Sequence, residues 1–190
     1  MQKSKKLILI IILIIVFLGV SVIYIKGSFP SLFTLHSSPV KGGSMKLISD
    51  FEHNGNIPSV YTCDGEDLAP ELTISEVPKS AKELVLIVDD PDAPMGTWVH
   101  WILYNIPIDT TKINNKNLPA RVKQGMTDFG RIGWGGPCPP NGTHRYFFKL
   151  YAIDKSLNLP EGATKMQVEN EIKGHIIEKT ELIGLYERKR

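Results

Sequence analysis

Glu83-Leu84-Val85-Leu86-Ile87-Val88-Asp89 runs without interruption into Asp90-Pro91-Asp92-Ala93-Pro94. The first stretch places five aliphatic residues between acids, a run of strand length. The prolines that follow fix φ and remove two backbone donors, so the ladder stops and a stiff loop begins. Asp90 and Asp92 are thereby held in a set geometry at the edge of a sheet. Read blandly, they are turn residues capping nearby backbone N–H groups.

Working outward, similar short runs recur at 45–51, 71–75, 98–105 and 145–153, rich in Val, Ile, Leu and aromatics. Clusters of Pro, Gly, Asn and Asp separate them. This spacing predicts a mostly β domain, an antiparallel β-sandwich rather than a series of βαβ units. One helix is expected near the C-terminus. Thr164 followed by Gln167 fits a capping box, and Val168, Ile172 and Ile176 then recur every four residues. Gly174 weakens that helix without necessarily breaking it, and 181–186 reads as a last strand.

The chain has 190 residues, 42% hydrophobic and 22% charged, with a formal charge of +2. That length suits one ordinary domain. The charge is too small for a surface that tracks nucleic-acid phosphates. Residues 7–25 are apolar apart from Gly19, Ser21 and Tyr24, and carry no charge. Nineteen residues in a helix span about 28 Å, close to the hydrocarbon thickness of a bilayer. Lys3, Lys5 and Lys6 precede them. The expectation is therefore a basic cytoplasmic terminus (1–6), a transmembrane anchor (7–25) and a Gly/Ser/Pro-rich linker (26–44). The β-domain (45–190) would then lie outside the cytoplasm. A cleaved signal peptide is the competing reading.

Two further segments carry chemistry. In Trp98-Val99-His100-Trp101, strand alternation puts His100 beside Trp98, Ile102 and Tyr104. A histidine among aromatics is often a satisfied core residue. Close to the acidic loop, however, a carboxylate can fix its tautomer and free the other ring nitrogen for a ligand. In the stretch from Gly133 to Tyr146, glycines allow close backbone approach while Pro137, Pro139 and Pro140 stiffen the loop. His144 opens the next strand and shares a face with Tyr146 and Phe148. Its bland reading is a surface histidine.

Further recognisable stretches are Ile57-Pro58, Tyr61-Thr62-Cys63-Asp64-Gly65-Glu66-Asp67, Thr127-Asp128-Phe129, and Gly136-Pro137-Cys138-Pro139-Pro140 through Gly142-Thr143-His144-Arg145-Tyr146. With the Asp-Pro-Asp-Ala-Pro run and Val99-His100-Trp101, they resemble the phosphatidylethanolamine-binding protein family. These proteins are also called Raf kinase inhibitor proteins, and the likeness is to the bacterial and archaeal branch. It covers residues 45–190. The N-terminal segment lies outside the family pattern.

The resemblance implies a β-sandwich with a small pocket at one end for phosphate, phospholipid head groups or other small anions. Asp90, His100, Pro137, His144 and Tyr146 would line it, with Asp92 in the same acidic loop. Imidazoles and loop amides would donate to the anion while Asp90 orients a ring. Affinity should then rise as pH falls through the imidazole range, near about 6.5. An extracytoplasmic serine-protease partner is the alternative, since some family members inhibit proteases or kinases.

Catalysis is not expected, because no serine or thiol sits in a nucleophile-elbow context. The histidines lack the close spacing of zinc sites, so neither a metal nor another cofactor is expected. Cys63 and Cys138 form an even pair, and outside the cytoplasm a disulfide is favoured over two buried thiols. Such a bridge would be worth roughly 4 kcal/mol in the loop-entropy account.

Overall fold

The run that opens at Glu83 becomes the central strand of the larger of two sheets. The computed structural model describes residues 44–188. In chain order the elements are β1 (Lys46–Ile48), β2 (Gly55–Asn56), a 3-10 turn (Ser59–Tyr61), β3 (Leu72–Ser75), β4 (Glu83–Asp90), β5 (Trp98–Ile106), β6 (Lys112–Ile113), β7 (Lys123–Gln124), β8 (His144–Ile153), α1 (Lys165–Ile172) and β9 (Ile176–Tyr186). The small sheet has the order β1-β3-β6, and the large one β2-β9-β8-β4-β5-β7. All pairings are antiparallel except β2 with β9, which is parallel.

β4 is buried along its whole length because both of its faces are covered. Leu84, Leu86 and Val88 meet Leu47, Leu72 and Ile74 of the small sheet, together with Phe148, Leu150 and Leu182. Val85 and Ile87 pack on the opposite face with Ile102, Tyr104, Val168 and Ile172. Each such aliphatic contributes roughly 1.5–3 kcal/mol of burial free energy. This two-sided burial explains why the β4 sequence is continuously apolar instead of alternating.

The C-terminal helix forms where the capping residues placed it. Thr164 N donates to Gln167 Oε1 at 2.9 Å, and Gln167 N donates to Thr164 Oγ1 at 3.3 Å. Asp89, fully buried, accepts from Lys149 Nζ and Lys165 Nζ, each at 2.6 Å, and so ties the first residue of α1 to the sheet. The helix ends earlier than its periodicity suggested. Gly174 adopts φ +81°, a left-handed conformation that closes the helix, and Ile176 begins β9 instead of a further turn.

The expectation of a single-pass membrane protein is corrected. Among the described residues no helix is long and apolar enough to cross a membrane. α1 has eight residues, about 12 Å of rise, and carries Lys165, Glu169 and Glu171. The expected span at 7–25 lies outside the described residues, as do the basic terminus at 1–6 and all of the linker except Ser44. Among the described residues the architecture is thus a mostly β sandwich with one α-helix, which does not span a membrane.

Candidate functional site

The site forms at one end of the sandwich, where β4 finishes and both β5 and β8 begin. On β4, the residues Leu84, Leu86, Val88 and Asp90 share the inner face. On β8 that face carries His144, Tyr146 and Phe148, so strand pairing brings Asp90 to His144. Asp90 Oδ2 and His144 Nδ1 are 2.7 Å apart and nearly excluded from solvent. The second carboxylate oxygen of Asp90 accepts from Asp92 N at 2.8 Å.

His100 reaches the same place by an irregularity. The β4–β5 register passes from Val88↔Trp101 to Asp89↔Val99, leaving His100 as the extra residue of a β-bulge. Strict alternation put His100 with Ile102 and Tyr104. The bulge instead gives that face to Val99 and turns His100 toward Asp90 and Tyr146. Its Nδ1 lies 2.6 Å from the Gly135 carbonyl oxygen, and Gly135 N donates back to the His100 carbonyl at 3.0 Å. The rings of Phe129 and Tyr146 meet the imidazole edge-on, with centroids 5.4 and 5.1 Å away. A Cβ at Gly135 would sit 2.5 Å from the Phe129 ring, so only glycine admits this packing.

The carboxylate expected to orient His100 therefore orients His144, and a backbone carbonyl orients His100. Burial holds His100 below its ordinary imidazole range, against the opposing effects of Gly135 and Asp90. Burial also pushes the Tyr146 phenol far up, reinforced by Asp90 and Asp92. Among the described residues the Tyr146 hydroxyl has no hydrogen-bond partner.

Asp90, His100, His144 and Tyr146 line a cavity of about 320 Å³. Its wall is completed by apolar residues that sequence reasoning missed, chiefly Met95, Trp98 and Phe129, with Pro94 and Pro140. Trp98 was legible as the neighbour of His100 in its motif. Phe129 stands in the short Thr127–Phe129 stretch, but nothing local indicated that it meets His100.

Asp92 and Pro137, expected among the ligand-binding residues, stand behind this wall. Asp92 accepts from Arg145 N, Nε and Nη2 at 2.9, 2.8 and 2.7 Å, a forked pairing that ties the acidic loop to the start of β8. The Pro137 carbonyl accepts from Cys63 N at 3.1 Å. Cys63 and Cys138 are disulfide-bonded, and Cys138 belongs to the cavity wall. Gly136 N donates to Asp67 Oδ1 at 2.7 Å, so the 61–67 loop backs the 134–140 loop at several points. Among the described residues no group of three or more His, Cys, Asp or Glu side chains is placed to hold a metal ion.

The sequence model described as phosphatidylethanolamine-binding protein matches residues 48–187, which include every residue of this wall. The chain belongs to the phosphatidylethanolamine-binding protein family. Relatives in this family include a UPF0098 protein of Pyrococcus horikoshii, 49% identical over 154 residues, covering 77% of this chain and 78% of the relative. A UPF0098 protein of Methanothermobacter thermautotrophicus is 49% identical over 143 residues, covering 73% of this chain and 95% of the relative. The crystal structure of a phosphatidylethanolamine-binding protein homologue from Chlamydia trachomatis superposes with a TM-score of 0.73 at 41% identity. It covers 77% of this chain and 99% of that one. E. coli YbcL, a further member of the family, gives 0.72 at 29% identity, with coverages of 77% and 99%.

Proposed function

We propose that this family member is a binding protein for a small phosphate-type anion, held in the cavity over Asp90, His100 and His144, without chemical turnover. The observation that carries this reading is the arrangement of the imidazoles. Each has Nδ1 occupied by a fixed acceptor, Asp90 for His144 and the Gly135 carbonyl for His100, so each offers Nε2 to a ligand. Among the described residues that line the cavity there is no Lys or Arg, and Asp90 is the only carboxylate. Positive charge in the cavity must therefore come from protonated imidazole, and anion affinity depends on pH. The family name describes proteins that bind a lipid whose head group carries a phosphate diester, which supports a phosphate-type ligand without fixing its esterification.

Calorimetric titration with inorganic phosphate between about pH 5 and 8 tests the reading. Affinity should rise on acidification in the wild-type protein and be lost in His144→Ala. A flat profile, or binding unchanged in the variant, refutes it. Hydrolysis assays with lipid and peptide esters should show no activity that depends on His144.

A further inference from the structure

The two imidazoles do not offer the same chemistry, and the difference narrows the ligand class. Any such selectivity rests on the cavity binding an anion, as proposed above. A carbonyl oxygen can only accept, so the 2.6 Å contact with Gly135 assigns the hydrogen to Nδ1 of His100. In the neutral ring Nε2 then holds a lone pair and accepts. The ring is locked in this sense by the reciprocal bond from Gly135 N and by the Phe129 and Tyr146 edges.

The groups facing His100 are Asp90 and Tyr146 across the sheet, with the charges of Asp89 and Asp128 also reaching it. Of these only Tyr146 carries a donor, and its hydroxyl makes no hydrogen bond to Nε2. Burial disfavours the charged ring in spite of the three carboxylates. His144 stands in a different setting. It faces Asp90 directly, lies across from Tyr186 on β9, and has Asp92 nearby. Once protonated, His144 is ion-paired with Asp90 and donates through Nε2–H.

We infer that the cavity selects a phosphate that carries its own acidic proton, inorganic phosphate or a phosphomonoester monoanion, over a phosphodiester of equal charge. The ligand's P–OH donates to Nε2 of His100, and an anionic oxygen accepts from Nε2–H of His144. A phosphodiester has no such proton and leaves Nε2 of His100 without a partner. That omission typically costs enough to lower affinity about tenfold or more.

The test compares inorganic phosphate, methyl phosphate and dimethyl phosphate by calorimetry at about pH 5.5. This lies below the second ionisation of a phosphomonoester, at about 6, so the three probes are predominantly monoanions. The cavity, about 320 Å³, is not filled by any of them. Methyl phosphate should bind at least about tenfold more tightly than dimethyl phosphate. The ratio of inorganic to methyl phosphate separates a free-phosphate site from a monoester site.

In His100→Gln, whose amide can turn either its oxygen or its nitrogen to the ligand, the preference should shrink to within about threefold. The wild-type comparison stands even if that variant folds poorly. Dimethyl phosphate binding within threefold of methyl phosphate overturns the inference and leaves the anion reading intact. So does glycerophosphoethanolamine binding as tightly as methyl phosphate while glycerophosphocholine does not, because the donor would then sit on the amine. Failure of every probe to bind removes both readings.

Discussion

Asp90 Oδ2 and His144 Nδ1 meet at 2.7 Å across the β4–β8 pairing, joining the last residue of one strand to the first of the other. Their positions in sequence are 54 residues apart. Because the side chains retain only 5% and 8% exposure, neither can exchange its partner for bulk water without local opening.

Removing the acceptor should therefore be costly. Asp90→Ala leaves His144 Nδ1 and Asp92 N without their acceptor, and unmade buried hydrogen bonds cost roughly 1–3 kcal/mol each. For the two together, urea denaturation should show a loss of roughly 2–6 kcal/mol. Asp90→Asn keeps an acceptor oxygen and should lose less stability, yet it should still weaken phosphate binding because His144⁺ has lost its counter-charge. An Asp90→Ala protein as stable as wild type would contradict the buried pairing.

His100 gives a pH dependence of stability with a defined sign. Burial lowers its folded-state pKa below the ordinary 6.5, so the unfolded chain binds the extra proton more readily. The stabilising contribution is present above about pH 6.5 and is lost as pH falls from there toward the folded value. Denaturation midpoints measured from pH 7.5 to 5 should decline, and the decline should be shallower in His100→Gln. Equal slopes in the two proteins would assign the decline to other groups.

Asp92 titrates in the opposite part of the scale. Its hydrogen bonds from Arg145 bring the carboxyl down to about 2 from an ordinary 3.8. This contribution is intact above about pH 4 and disappears as pH drops toward 2. Solvent screens the pair, since the Arg145 and Asp92 side chains are 54% and 28% exposed, so a modest effect is expected. Asp92→Asn should flatten the acid limb of the stability profile between pH 4 and 2. It should also raise proteolytic sensitivity in the 91–97 loop, measured by limited digestion.

The disulfide joins residues 75 apart in sequence, Cys63 in one exposed loop and Cys138 in the cavity wall. Closing a loop of that length is worth roughly 4 kcal/mol in the entropy account. Reduction, or the paired change Cys63→Ser with Cys138→Ser, should lower stability by up to about that amount. Phosphate affinity should fall with it, because the 138–140 wall loses one of its ties. The bond to Pro137 and the Asp67–Gly136 contact should keep part of the site in place. A reduced protein with unchanged midpoint would show that those contacts suffice.

Much of the fold was legible because the signals were local. Five of the six longer strands follow from short apolar runs bounded by Pro and Gly, the sixth, β9, was legible only over 181–186, and the helix start follows from Thr164 and Gln167. The two-residue strands β2, β6 and β7 had no such signal, since pairing that short is imposed by neighbours. The helix end was misjudged because Ile176 keeps the four-residue period while Gly174 breaks the backbone. The chain also carries a long apolar run at 7–25, and its reading as a membrane span lies outside the described residues.

The site was legible as a set of residues and not as a set of contacts. Asp90 and His100 are near in sequence, which suggested that they pair, yet strand register gave Asp90 to His144. Local alternation placed His100 on the face that Val99 occupies, since a bulge is a property of two strands and cannot be read from one. Asp92 looked like a ligand residue until Arg145 claimed its carboxylate.

By itself, the sequence determined the longer strands, the rigid acidic loop, the proline-rich wall and, through its motifs, the family. Each of these rests on residue types at fixed local spacing. Only the tertiary structure decided which nitrogen of each imidazole is occupied, that Met95, Trp98 and Phe129 complete the cavity, and that Cys63 backs it through Cys138. Those features arise where β4, β5 and β8 are brought to one end of the sandwich. Hydrogen-bond register across 54 residues sets them, and no local pattern encodes it.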